Sequence, residues 1–358
     1  MRILFVSDAA SIHTRRWAES FRDRGDDVHI ASFRPFHTPG TTLHALPTFG
    51  LGKLGYLPAI PVLGRIFRKV RPDIVHAQYV TSYGFLAAVA GFHPLVITAW
   101  GTDVLLAPRD SRLLRKIASY ALHRADVITT VAQHMNAAVV SLGARPEKVS
   151  AIPFGVDTRV FVPPSAPRSE LGPLRLICTR SFGPIYSVQT LLRALPEVVA
   201  RGLTLRVDLV GDGPMRKELE TLADRAGLGS WVSFYGHVDQ NRLARLLGEA
   251  HLFVSPALSD GNNISLNEAM ACGCFPIVTD IPANAQWIDQ NCNGILFPAG
   301  DATRLADAIL LAVADADWRH RAETINRAIV EARADWRTCV ARMGEIYSDA
   351  IKHTRRQS

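Results

Sequence analysis

Asp260 and Glu268 lie eight positions apart in SDGNNISLNEAMACGCFPIVTD (259–280), with Gly261-Asn262-Asn263 directly after the first acid. A turn rich in Gly and Asn leaves backbone N–H groups free at a helix N-terminus, where the dipole favours an anion. Glu268 opens an Ala/Met/Cys/Gly helix pattern that runs into a strand-like Pro-Ile-Val-Thr-Asp. Carboxylates bracketing such a turn can hold hydroxyls on either side of a phosphate. A sugar nucleotide offers that arrangement: sugar, diphosphate, ribose. The competing reading is an ordinary loop-to-helix junction with a solvated Asp and a surface Glu.

Other residues could join the same chemistry. Arg180 closes the strand-like LRLICTR (174–180). A planar guanidinium at a strand's carboxyl end can pair with a diphosphate, or can simply be a surface residue. In SDAASIHTRRW (7–17), Ser11 and His13 sit in a strand–loop–helix unit, followed by Arg15 and Arg16. They can face a ligand; equally, Ser11 or Thr14 can cap the helix and His13 can be solvated. VGDGP (210–214) lacks the third glycine of a dinucleotide fingerprint. It reads as a tight turn with Pro214 opening a helix.

These groups need a scaffold. The chain has 358 residues, 48% of them hydrophobic, which favours two domains with large cores. Apolar runs at 3–8, 28–33, 73–78, 95–100 and 127–132 alternate with helix patterns. A second series follows at 174–180, 205–211, 231–236, 251–256, 275–280 and 294–298. Such alternation predicts an α/β chain whose parallel sheets are covered on both faces. The proline-rich FVPPSAP (161–167) reads as the linker. The expected domains are 1–165 and 166–335, with a terminal helix over 336–358 packing back on the first. Two doubly wound halves predict ligands beyond the carboxyl ends of the strands, in a cleft between them.

Composition narrows the class. Five scattered cysteines form no zinc spacing and point to buried thiols in a reducing compartment. MRILFVSDAA reads as a strand rather than a signal peptide, and no 18-residue apolar run predicts a membrane span. The first 165 residues carry 19 Lys and Arg against 11 Asp and Glu, whereas the remainder carries 21 against 22. The excess of positive charge in the first half points to an anionic partner: acidic lipid headgroups, a lipid-linked diphosphate or nucleic acid. RIFRKVR (65–71) and RDSRLLRK (109–116) place cations beside Leu, Ile and Phe, as an interfacial helix would. A core-facing stripe with a solvated basic edge is the alternative.

The 259–280 segment resembles the acid-x7-acid motif of the GT-B retaining glycosyltransferases, in particular family 4. Gly261, Glu268, Ala269, Met270, Ala271, Cys272 and Gly273 match; Asp260 stands where the family more often has Glu. The resemblance implies a GT-B architecture of two Rossmann-like domains facing each other. It implies that Asp260 binds sugar hydroxyls and Glu268 the ribose, with the amides of Asn262, Asn263 and Ile264 facing sugar and diphosphate. CTRSFGPIYS is similar to the family's Arg-x5-Lys-Gly, whose Arg and Lys clamp the diphosphate; Arg180 matches the Arg, but Tyr186 takes the Lys place on the donor side. AWGTDV (99–104) resembles a His-Gly-x-Asp turn, with Trp100 for His and with Gly101 and Asp103 kept. Asp103 is then the candidate acceptor-contacting carboxylate. FYGHVD (234–239) is similar to the base-pairing segment, which puts Gly236 and His237 at the nucleotide. His76 resembles a strand-end family His and reads as structural.

The implied activity is retaining transfer of a hexose from a UDP- or GDP-sugar to a hydroxyl, with no cofactor and no required metal. Asp103, Arg180 and Asp260 are the catalytic candidates. Ser11, His13, Trp100, Gly101 and Asp103 would line the acceptor side. The implied partners are the donor, a lipid-linked or saccharide acceptor and an anionic membrane surface, not nucleic acid. The implied setting is polysaccharide, lipopolysaccharide or glycolipid synthesis, in the cytoplasm or peripherally on the inner membrane face. A non-catalytic binding subunit and a GT-B sugar-nucleotide epimerase are the alternatives.

Overall fold

The computed structural model describes residues 1–48, 55–166, 168–169 and 172–357. They form two compact units, Met1–Phe154 with Arg337–Ser358, and Gly155–Trp336.

The first unit holds β1 (Arg2–Val6), β2 (Asp27–Ser32), β3 (Thr42–Ala45), β4 (Ile74–Gln78), β5 (Leu95–Ala99), β6 (Val127–Thr130) and β7 (Val149–Ala151). All pairings are parallel, in the order β3-β2-β1-β4-β5-β6-β7. Every residue of β4 and β5 is buried, because helices cover both faces of the sheet. The edge strands β3 and β7 escape the sequence pattern. They are short, hold few apolar residues and are half exposed, as edge strands commonly are.

The second unit repeats the winding with β8 (Leu174–Cys178), β9 (Leu205–Val210), β10 (Val232–Gly236), β11 (Leu252–Ser255), β12 (Phe275–Thr279) and β13 (Ile295–Phe297). Its order is β10-β9-β8-β11-β12-β13, again all parallel. Each unit is therefore a Rossmann-like doubly wound sheet, reversing direction of progression at β1/β4 and at β8/β11.

The domain boundary drawn at residue 165 needs correction. Residues 155–165 fold with the second unit. Phe161 is fully buried in that unit's core. The Val156 amide donates to Ala334 O at 2.7 Å, and Arg327 donates to Thr158 O at 2.7 Å. Proline marks an extended segment without deciding which core it joins; the last residue of the expected linker, Pro167, lies outside the described residues.

Asp335 separates the helices Ala316–Ala334 and Trp336–Gln357. Beyond Trp336 the last helix belongs to the first unit. Its Tyr347 is fully buried, stacks on Phe21 at 5.0 Å and shares a hydrogen bond with His76 Nδ1. His76 Nε2 meets Thr98 Oγ1 at 2.5 Å, so this histidine is an internal tie.

Candidate functional site

The switch point of the second sheet assembles the polar residues. Arg180 lies on the loop leaving β8, and Asp260 on the loop leaving β11. Gly211, after β9, supports the first loop: a Cβ there would lie 2.2 Å from the Arg180 carbonyl oxygen. Only glycine permits this approach. The Leu258 amide donates to Ile185 O at 2.8 Å and joins the two loops.

Arg180 is 6% exposed. Its Nη2 donates to the Asp260 carboxylate, and its Nη1 donates to Asn263 Oδ1 at 2.6 Å. Its Nε is buried without a protein partner. The Tyr186 ring lies against one face of the guanidinium, with its centroid 4.4 Å from Cζ. A cation over an aromatic face is attracted by the ring quadrupole.

Asn263 ties this group to the helix Ile264–Ala271. As N-cap, its Oδ1 accepts from the Leu266 amide at 3.1 Å. Its Nδ2 donates to Ser255 Oγ at 3.1 Å and to Asn284 Oδ1 at 2.9 Å. The cap thus fixes both the helix start and the arginine. Neither polar atom of the buried Asn262 side chain has a protein partner. Gly261 lies in the turn, and Glu268 lies further along the same helix, half-buried. The Ile264 amide is not free for a ligand, because it donates to Asn262 O at 2.9 Å. Of the three amides expected to face an anion, this one is used inside the turn.

Gly236 ends β10 in a left-handed conformation, φ 68°, and its carbonyl accepts from the Gly211 amide at 3.0 Å. His237 is exposed beside it. VGDGP forms the expected turn, but the helix starts at Arg216, beyond Pro214. The expectation that the chain holds no Asp-x-Asp is wrong: Asp315-Ala316-Asp317 is one. Asp315 is a helix cap, accepting from the Trp318 amide at 2.7 Å.

In the first unit, Asp103 requires a correction. It is fully buried, and its carboxylate accepts from the amides of Val80 and Gly101 at 2.8 Å and of Trp100 at 3.1 Å. Burial raises its pKa, and these amides oppose the rise. A carboxylate so enclosed organises the turn around Trp100 and Gly101 instead of meeting an acceptor. Ser11 caps the helix Ile12–Asp23, accepting from the His13 amide at 3.3 Å. His13 stacks on Phe154 at 4.0 Å, and Trp100 meets it edge-on at 5.5 Å. Sequence inspection also missed a buried triad: Ser7 Oγ and Thr14 Oγ1 each contact Gln78 Oε1, at 2.8 and 2.9 Å.

Burial, with a contribution from the Arg16 charge, lowers the His13 pKa to about 4, so the ring is neutral near pH 7. An unfolded chain would titrate it near 6.5. Below that pH the unfolded state binds a proton that the folded state refuses, so stability should fall as pH drops from 6.5 toward about 4. Thermal melts across this range should show a smaller loss for His13→Phe, which keeps the stack. An equal loss in both proteins would place the acid sensitivity elsewhere.

Two family models match the chain: "Glycosyl transferase 4-like" over residues 2–132 and "Glycosyl transferases group 1" over residues 173–315. A GDP-mannose-dependent alpha-(1-6)-phosphatidylinositol monomannoside mannosyltransferase of Mycobacterium tuberculosis is 25% identical over 353 residues, covering 94% of this chain and 89% of the relative. The D-inositol 3-phosphate glycosyltransferase of Xylanimonas cellulosilytica is 29% identical over 311 residues, covering 78% and 72%. The crystal structure of Anabaena Alr3699/HepE in complex with UDP aligns with a TM-score of 0.84 at 20% identity, covering 98% of this chain and 100% of that one, which shows the same fold.

Proposed function

The chain belongs to the group 1 glycosyltransferases of family 4, with the GT-B architecture, and we propose that it moves a hexose from a nucleoside-diphosphate sugar to a hydroxyl acceptor with retention. The observation that carries this reading is the buried Arg180, held by Asp260 and Asn263 at the start of a helix and at the switch point of the second sheet. That place combines a fixed cation with a helix N-terminus, both suited to a diphosphate. Negative charge develops on the β-phosphate as the sugar leaves. A preorganised cation stabilises that charge without reorganising during the reaction. The departing diphosphate takes the acceptor proton in this reading, so the protein needs neither a carboxylate nucleophile nor a metal.

Asp260 is assigned to the sugar hydroxyls and Glu268 to the ribose. A relative named for GDP-mannose and a neighbour solved with UDP support a nucleotide-sugar donor. Transfer should be assayed from UDP- and GDP-hexoses with and without chelator, with the product's anomeric configuration read by NMR. An inverted product would reject the retaining mechanism. Glu268→Ala should weaken the better of UDP and GDP by about 1–3 kcal/mol, the cost of leaving buried hydroxyls without an acceptor. Equal dissociation constants for parent and variant would remove Glu268 from the ribose.

The acceptor is assigned to the first unit and to a lipid-linked or saccharide hydroxyl. The phosphatidylinositol-directed name of the mycobacterial relative supports a lipid-linked one. On the helix Arg112–Arg124, Leu113 is 63% exposed amid the exposed Arg112, Arg115 and Lys116. This supports attachment to an anionic membrane surface, which salt would screen. Flotation with anionic and neutral liposomes at two salt concentrations tests it; recovery independent of both would count against a membrane surface. Among the described residues no helix is long and apolar enough to cross a membrane.

A further inference from the structure

We propose that Tyr186 is a positioning residue for Arg180, and that its ring replaces a second cation at this site instead of leaving a gap where one is missing. The inference rests on the reading of Arg180 as the diphosphate cation.

Arg180 has two faces and an edge of N–H donors. The Tyr186 ring covers one face at 4.4 Å. Two of the edge donors are engaged by Asp260 and Asn263, and Nε is buried without a protein partner. Rotation of the guanidinium is thus limited by a carboxylate, an amide oxygen and an aromatic plane together. The backbone that carries the ring is held from both loops. Tyr186 ends the short turn Pro184–Tyr186, its amide donating to Gly183 O at 3.0 Å, and the next residue, Ser187, takes φ 48°. The preceding Ile185 carbonyl accepts the Leu258 amide on the Asp260 loop at 2.8 Å. The Leu258–Ile185 hydrogen bond therefore ties the loop that carries both members of the stack to the loop that carries Asp260.

A lysine here would remove the plane and put an ammonium beside Arg180, where Asp260 is the carboxylate paired to it. Like charges in a half-buried place repel, and the arginine would lose its stacking partner. Replacing Tyr186 with the residue common in the family should therefore weaken the site.

The experiment compares Tyr186→Phe, Tyr186→Ala and Tyr186→Lys with the parent and with Arg180→Ala. The measurements are transfer kinetics from the best nucleotide sugar, and calorimetric affinities for the nucleoside diphosphate and the nucleoside. Tyr186→Phe keeps the ring and should stay within about twofold of parent kcat. Tyr186→Ala and Tyr186→Lys should lower kcat by roughly ten- to thirtyfold and weaken the diphosphate but not the nucleoside. Parent-like or higher kcat in Tyr186→Lys, with Arg180→Ala impaired, would overturn the positioning role alone. Parent-like turnover and diphosphate affinity in Arg180→Ala would instead overturn the reading on which it rests. Equal loss of nucleoside and diphosphate affinity in Tyr186→Ala would mark a general disturbance of the fold and also reject the proposal.

Discussion

Arg180→Ala is expected to lower turnover by about 10²–10³-fold, the scale seen when one preorganised stabiliser of developing charge is removed. The residue is buried, its carbonyl is packed against Gly211, and its guanidinium is held by Asp260, Asn263 and the Tyr186 ring. Its geometry is held before a ligand arrives, so its benefit should appear mainly in the transition state. The loss should therefore fall on kcat more than on nucleoside affinity. Arg180→Lys separates charge from geometry. It keeps a cation but loses the planar fork that spans Asp260 and Asn263, so it should lie between alanine and parent. Alanine also leaves the 14%-exposed Asp260 without its cation. Melting curves must therefore accompany the kinetics. Unchanged turnover in a well-folded Arg180→Ala would remove the diphosphate assignment.

Asp260→Ala should destabilise the ligand-free protein by about 3–5 kcal/mol, because a guanidinium remains buried without its carboxylate. The same change should enlarge the rise in Tm on adding a nucleoside diphosphate. In the variant the diphosphate becomes the counter-charge that Asp260 supplied, and a ligand that binds only the folded state stabilises it by mass action. Turnover should nevertheless stay low, since the proposed contact to the sugar is gone. Scanning fluorimetry with and without UDP and GDP measures both effects. If the variant melts like the parent and responds like it to nucleotide, the ion pair contributes nothing to this site.

Much of the donor-side geometry follows from residues close together in the chain. Asn263 is of a type that caps helices and caps one here, although that helix starts at Ile264, four residues before the opening read at Glu268. The alternating apolar runs declare two parallel sheets, because strands buried on both faces must be apolar throughout. β3 and β7 stayed hidden since half-exposed edge strands need no such run.

Contacts distant in sequence were decided by packing. Nothing local distinguishes an Asp that organises a turn from one that meets a ligand. Asp103 is separated from Val80 by most of two elements, and only the folded chain brings that amide to its carboxylate. Likewise Arg180 and Asp260 are 80 residues apart and meet because β8 and β11 are neighbours in the sheet. The sequence by itself determined the family, the two doubly wound sheets and the acid-x7-acid motif, since each is written in short-range pattern. The tertiary structure alone decided that Arg180 is paired and stacked, that Asp103 is enclosed, and that residues 155–165 join the second core, since each depends on which surfaces exclude water together.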